Sequence, residues 1–323
     1  MSQVSIIFHG NDIDGWMSAY IITRAIQVQS RSRINFNYYP VSPTKQSSWP
    51  NPSIIGGTNL YIVSVYPSKE LLTEYEGVAY EILVVDHHAS AGSLLTNYQH
   101  AIFNTESCST ALLYAKFFPY FPVPTWVGLV DRLSRWQHPT LNDKALREVL
   151  HPIACLPLNV SVVTAFERTD DFLAKLVNPM ETEILVRQGI DILSMKDEVL
   201  SNVMRMGQIV NLSDEQVTAW NIPRSWSGNQ VFILNNTGII IDSTLASAKV
   251  FDEYPATNIF VNYRTREIIH PRTGLPVTEY SYSVRARNGT DIDLTKDGVF
   301  AGHSCAAGGR YLSGESSVLP FII

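Results

Sequence analysis

Two short clusters of acidic and imidazole side chains carry most of the chemistry visible in this chain. They are His9-Gly10-Asn11-Asp12-Ile13-Asp14-Gly15 and Asp86-His87-His88. Taken one at a time, an Asp in such a place reads as a helix cap and a His as a core residue. Gathered together, three carboxylates and three imidazoles would repel one another or desolvate badly unless a cation joined them. A mixed set of oxygen and nitrogen donors suits a hard-to-borderline divalent ion, Mn²⁺ above all, with Mg²⁺ as the alternative. Such an ion, once bound, lowers the pKa of its water toward neutrality.

Each cluster follows an apolar run that reads as a strand, Val4 to Phe8 before the first and Ile82 to Val85 before the second. Parallel strands ending side by side would deliver both clusters into one crevice. Between them, Trp16 to Val28 has helical character, Ile34 to Pro40 alternates like a strand, and 41–57 is a loop rich in Ser, Pro and Gly. Leu60 to Val65 is a further strand, Pro67 to Glu70 a helix start, and Ser107 to Phe118 a helix closed by Pro119, Pro122 and Pro124. Residues 126–136 and 143–150 then read as helices. Strands alternating with helices predict βαβ units and an α/β fold with a mostly parallel sheet flanked by helices.

A long helix is expected from Glu181 to Met206, with Leu185, Ile192, Val199, Val203 and Met206 lining one face. The junction to a smaller α/β domain is placed just beyond it, in 211–228. There, strands are expected at Gln230–Leu234, Asn258–Tyr263 and Tyr280–Arg287, with a helix over 242–254. A small-residue stretch, 301–310, holds Gly302, His303 and Arg310 and reads as a loop whose amides approach an anion, or as a tight loop packed on a helix. Arg285 and Arg287 fall on one face of the preceding strand, either as phosphate ligands or as a solvated face.

Composition narrows the classes. A formal charge of −6 argues against a sequence-independent grip on long duplex nucleic acid. Three scattered cysteines, Cys108, Cys155 and Cys305, imply neither a disulfide framework nor a zinc knuckle. The start of the chain resembles a first strand more than a signal peptide, and no apolar run approaches the roughly 20 residues of a membrane helix. A cytoplasmic protein without a membrane partner is the expectation. A dinucleotide-binding fold is disfavoured by the lack of GxGxxG after the first strand.

In order and separation, these motifs resemble the DHH phosphoesterase superfamily, in its branch carrying a DHHA1 domain. Phe8 to Gly15 is similar to the family's first motif, Asp86-His87-His88 to the motif that names it, and Gly302-His303-Ser304-Cys305-Ala306-Ala307-Gly308 to the GGHxxAAG signature, with Ala301 replacing the first glycine. Ser283-Val284-Arg285 resembles the strand before that signature. The resemblance spans nearly the whole chain. It implies a metal-binding catalytic domain over 1–180, a helical linker over 181–212 and a DHHA1-like substrate-binding domain over 213–323.

The implied activity is metal-dependent hydrolysis of a small nucleotide, a short oligonucleotide or a phosphoanhydride in the cleft between domains, with one or two Mn²⁺ ions; homodimers are common among relatives. His9 and Asp12 would hold one metal, and Asp14 and His87 the other, completed by Asp131. His88 would face the scissile phosphate, Asp86 would orient its neighbours, and Arg285, Gly302, His303 and Arg310 would bind substrate. One position departs from the pattern. Ser64 stands where the family carries a carboxylate bridging both metals, so the alternative is a catalytically impaired relative that serves as a binding or structural component.

Overall fold

The computed structural model describes residues 3–43, 48–135, 137, 140–154, 161–219, 222, 224–236, 243–270, 273–294, 301–303 and 306–312. The chain divides into two compact units, Met1–Ser194 and Met195–Ile323. In the first, β1 (Gln3–His9), β2 (Asn35–Val41), β3 (Asn59–Val63), β4 (Glu81–Asp86) and β5 (Ala101–Phe103) form one sheet in the order β2-β1-β3-β4-β5. Every pairing in it is parallel.

These strands are apolar on both faces because both faces are covered. On β1, Val4, Ile6 and Phe8 enter one core and Ile7 the other; β4 divides its Val85 and Val84 in the same way. The first core lies under α1 (Ile13–Gln29), α5 (Ser109–Phe117), α6 (Thr125–Ser134), α7 (Leu141–Ala154) and α8 (Val162–Leu176). The second is closed by α2 (Pro52–Ile55), α3 (Lys69–Val78) and α4 (Gly92–Leu95). The chain leaves β1 outward to β2 and then crosses to β3 on the other side of β1. The loops following β1 and β3 therefore part in opposite directions, and open α/β sheets take ligands at the C-terminal strand ends of such a switch point.

The division between units falls inside α9 (Pro179–Met204). Beyond it come β6 (Gln208–Asn211), α10 (Asp214–Ala219), β7 (Gln230–Asn235), α11 (Ser243–Glu253), β8 (Thr257–Ile269), β9 (Pro276–Ala286), β10 (Ala301–His303) and β11 (Ala306–Leu312). The strands form a second sheet in the order β10-β11-β9-β8-β7-β6, parallel at β7–β8 and antiparallel at its other pairings. Among the described residues, no helix is long and apolar enough to cross a membrane.

Several sequence expectations are revised here. The 41–57 loop contains α2, and α8 fills a stretch that the pattern left unassigned. The proposed single stripe on α9 is not one buried face. Leu185 enters the core of the first unit and Val203 that of the second, beside Leu200 and Met204, while Val199 and Met206 are 56% and 55% exposed. Each half of the helix is buried by a different set of neighbours, so one heptad-like register cannot describe both. The small-residue stretch is two strands, not a loop. Side chains on Gly308 or Gly309 would stand 2.8 Å from the Tyr282 carbonyl oxygen or 2.5 Å from its hydroxyl, so these glycines let β11 lie close against β9. Trp136, Cys155, Asp242, Ser304 and Cys305 lie outside the described residues, as do the side chains of His303 and Arg310.

Candidate metal centre

The register aligns three strand ends. Phe8 pairs with Val63 and Val63 with Val85, so the next residues along, His9, Ser64 and Asp86, stand at one level of the sheet's C-terminal edge. The loop after β1 is fixed from beneath: the Trp16 indole N–H donates to the Gly10 carbonyl at 2.8 Å, and its ring meets Phe8 edge-on at 4.9 Å. Gly15 is required because any Cβ there would collide with the backbone of His9. Asp12 then caps α1, accepting the Gly15 amide on Oδ2 at 3.4 Å.

Asp14 is fully buried and carries the second helix start. The amides of Thr110 and Ser109 donate to its two oxygens at 2.7 and 3.1 Å. Those amides open α5, which has no side-chain cap of its own. A carboxylate at a helix N-terminus is favoured by the helix dipole and by orphan N–H groups. Burial opposes the charge on Asp14, but His87 and the Thr110 bonds outweigh it and hold the carboxyl below its ordinary range. The His87 Nδ1 lies 3.4 Å from Asp14 Oδ2 and 3.4 Å from the Ser109 hydroxyl.

Asp86 is the hub of the second cluster. Its Oδ1 accepts from the His87 amide at 2.6 Å, the His88 amide at 3.0 Å and His88 Nδ1 at 2.6 Å. Burial again opposes ionisation, and the two histidines win, lowering the Asp86 carboxyl from its ordinary value. The reciprocal effect falls on His88. Burial lowers its basicity, but Asp86 at contact distance, with Asp12 and Asp14 adding to the field, pushes it up to about 9. His9 moves the other way: burial holds it below its ordinary value despite Asp12, Asp86 and Asp14 nearby.

Asp86, His87 and His88 each offer a ligand atom within 4.8 Å of the others. Among the described residues, the second oxygen of Asp86 is buried with no hydrogen-bond partner. An unmet buried acceptor costs about 1–3 kcal/mol, more when charged. A divalent cation is the partner that this oxygen and nitrogen donor set fits. Carboxylate–imidazole pairs such as Asp14 with His87 also match the way metal-binding histidines are oriented by an acidic neighbour.

The structure thus gathers Asp86, His87, His88 and Asp14 by direct contact, with His9 and Asp12 in the same electrostatic field. Asp131 is engaged elsewhere. On α6, its carboxylate takes the Arg135 guanidinium in two bonds of 3.1 and 2.9 Å and accepts the Cys108 amide at 2.6 Å. Among the described residues, no hydrogen bond or ion pair links it to the clustered histidines. Arg285 turns onto its own strand, donating to the Ser283 hydroxyl at 2.7 Å and the Val284 carbonyl at 2.9 Å. Arg287 is corrected to a structural role. It lies past the end of β9, and its guanidinium caps α11 and its exit through the carbonyls of Phe251, Tyr254 and Thr257, with Phe251 4.9 Å beneath it.

Ser109, Thr110 and Arg135 escaped the sequence reading. The signal was present in the polar run Ser107-Cys108-Ser109-Thr110 opening an apolar helix, and in the i, i+4 spacing of Asp131 and Arg135.

No family model and no curated protein matches this chain. Similar solved structures include an uncharacterized protein from Helicobacter pylori G27, with 14% identity and a TM-score of 0.36 over 100% of this chain and 97% of the other. A pGpG-specific phosphodiesterase, PggH, from Vibrio cholerae shows 12% identity and a TM-score of 0.45 over 97% of this chain and 93% of that one. RecJ from Thermus thermophilus, in complex with Mg²⁺, shows 10% identity and a TM-score of 0.39. The match with RecJ covers 99% of this chain and 48% of RecJ, about half of the longer protein.

Proposed function

We propose that this chain is a metal-dependent phosphohydrolase acting on a small nucleotide, a short oligonucleotide or a phosphoanhydride. The observation that carries the reading is the meeting of Asp86, His87, His88 and Asp14 at strand ends beside a switch point, with one buried Asp86 oxygen that has no hydrogen-bond partner among the described residues. In this reading His9, Asp12, Asp14 and His87 hold one or two divalent ions, Mn²⁺ or Mg²⁺. The ion supplies a Lewis acid for phosphoryl oxygens and an activated water. Asp86 keeps the His88 ring in place and cationic, so that it faces and stabilises the negative phosphoryl oxygens. In the second unit, Arg285 and His303 are the candidates to bind a phosphate.

A second reading, a binding protein that retains the fold, draws on two observations. Ser64 brings no charge to the centre, and Asp131 is already neutralised by Arg135. One experiment separates the two. The purified protein is equilibrated with Mn²⁺, desalted and assayed for metal, then tested against adenosine bisphosphate, linear and cyclic dinucleotides, and pyrophosphate. About one or two ions per chain with turnover of any of these supports the hydrolase. Metal without turnover, or no metal under excess Mn²⁺, defeats the hydrolase and supports the binding protein.

A further inference from the structure

Ser64 is the one residue other than glycine that adopts a positive φ among the described residues, at 55°. It is wholly buried, and it directly follows β3 at the switch point. A left-handed backbone drives Cβ toward the following carbonyl oxygen, and glycine alone adopts it without strain. A serine kept there is held by its surroundings. Its amide donates to the Val85 carbonyl at 2.9 Å, continuing the β3–β4 ladder one step past the strand, and its hydroxyl donates to Asp12 Oδ2 at 3.4 Å.

That hydroxyl completes a specific division of labour on Asp12. Oδ2 takes two donors, the Ser64 hydroxyl and the Gly15 amide. Oδ1 takes no hydrogen bond among the described residues. We infer that Ser64 is a positioning residue: its strained backbone aims a hydroxyl that clamps one oxygen of Asp12 and so presents the other to a cation. Strain concentrated at a site and held by neighbouring bonds is a recognised signature of such roles. The inference rests on the metal-binding reading above, and it concerns one residue that contributes no charge.

Three variants test it, each measured by thermal melting without metal and by calorimetric titration with Mn²⁺. Ser64→Ala keeps the strain and loses the hydroxyl. Ser64→Gly loses both. Ser64→Asn tolerates the left-handed backbone and restores an N–H donor. The metal-free glycine variant should melt above the alanine variant by about 2 °C or more. Both should bind Mn²⁺ about 10-fold more weakly than wild type, the size of loss usual for a group supporting a ligand. The asparagine variant should recover most of that affinity while melting at or above wild type. Equal melting of the glycine and alanine variants would remove the strain. Unchanged Mn²⁺ affinity in both would remove the clamp while leaving the metal centre standing, whereas a wild-type protein that takes no Mn²⁺ defeats the underlying reading instead.

Discussion

Replacing Asp14 by alanine should unfold the first unit more readily as well as disable the metal centre. The carboxylate is wholly buried and satisfies two amides at the start of α5, at 2.7 and 3.1 Å, while standing 3.4 Å from His87. Hydrogen bonds to a charged group are worth about 1.5–3 kcal/mol each, and stranding their buried donors adds desolvation. Against this, alanine relieves the cost of burying a charge. Breaking one side of such a buried arrangement nets about 3–5 kcal/mol. For a unit of this size, that lowers the melting temperature by about 6–20 °C. Asp12→Ala gives the internal control. Asp12 is less buried and its two bonds are both 3.4 Å long, so the loss should be about 1 kcal/mol, the usual value of a helix cap. Both proteins are melted in chelator, so that bound metal adds nothing. If the two variants melt within about 2 °C of each other, Asp14 does not join α1 to α5 as described.

Two further perturbations separate electrostatics from scaffolding. Asp86→Asn should lower the His88 titration, followed by NMR in chelator, from about 9, because burial opposes the charge and Asp86 makes the largest contributions that raise it. The wild-type pair contributes about 3 kcal/mol that is fully present below pH 6.5 and fades as pH rises through about 9, so metal-free wild type should lose stability over that window and the variant should not. Arg287→Ala removes bonds of 2.7, 3.1 and 3.0 Å to the carbonyls of Phe251, Tyr254 and Thr257 and should destabilise the second unit by about 2–3 kcal/mol. Mn²⁺ affinity measured by calorimetry should stay unchanged, and a parallel loss of metal would contradict its purely structural assignment.

The parallel sheet was readable because β1, β3 and β4 each hold a run of consecutive apolar residues, Ile6–Phe8, Leu60–Val63 and Ile82–Val85, which happens when helices cover both faces. The acidic and imidazole clusters were readable because each directly follows such a run. What stayed hidden depends on the third dimension. Nothing local announces that amides 95 and 96 residues away would take up Asp14, or that Asp131 would spend its charge on Arg135. Alternation on β9 suggested equivalent roles for Arg285 and Arg287, but the strand ends at Ala286 and the second arginine caps a helix instead. Glycines in 301–309 looked like an anion loop because composition records small size without saying whether a ligand or a neighbouring strand fills the space.

The placement of charge also bears on why this centre can fold before any cation arrives. Asp12 and Asp14 sit at the N-terminus of α1, and Asp14 meets the N-terminus of α5 as well, so peptide dipoles and amides carry part of the burden that a metal would otherwise bear. Asp86 is balanced by an imidazolium on His88 and by two backbone amides. Such a set is preorganised, because its ligands are fixed by bonds that do not involve the ion. Among the described residues, the second oxygen of Asp86 has no hydrogen-bond partner. Binding a cation beside a cationic His88 must weaken the imidazolium, so metal uptake and proton release are coupled through Asp86.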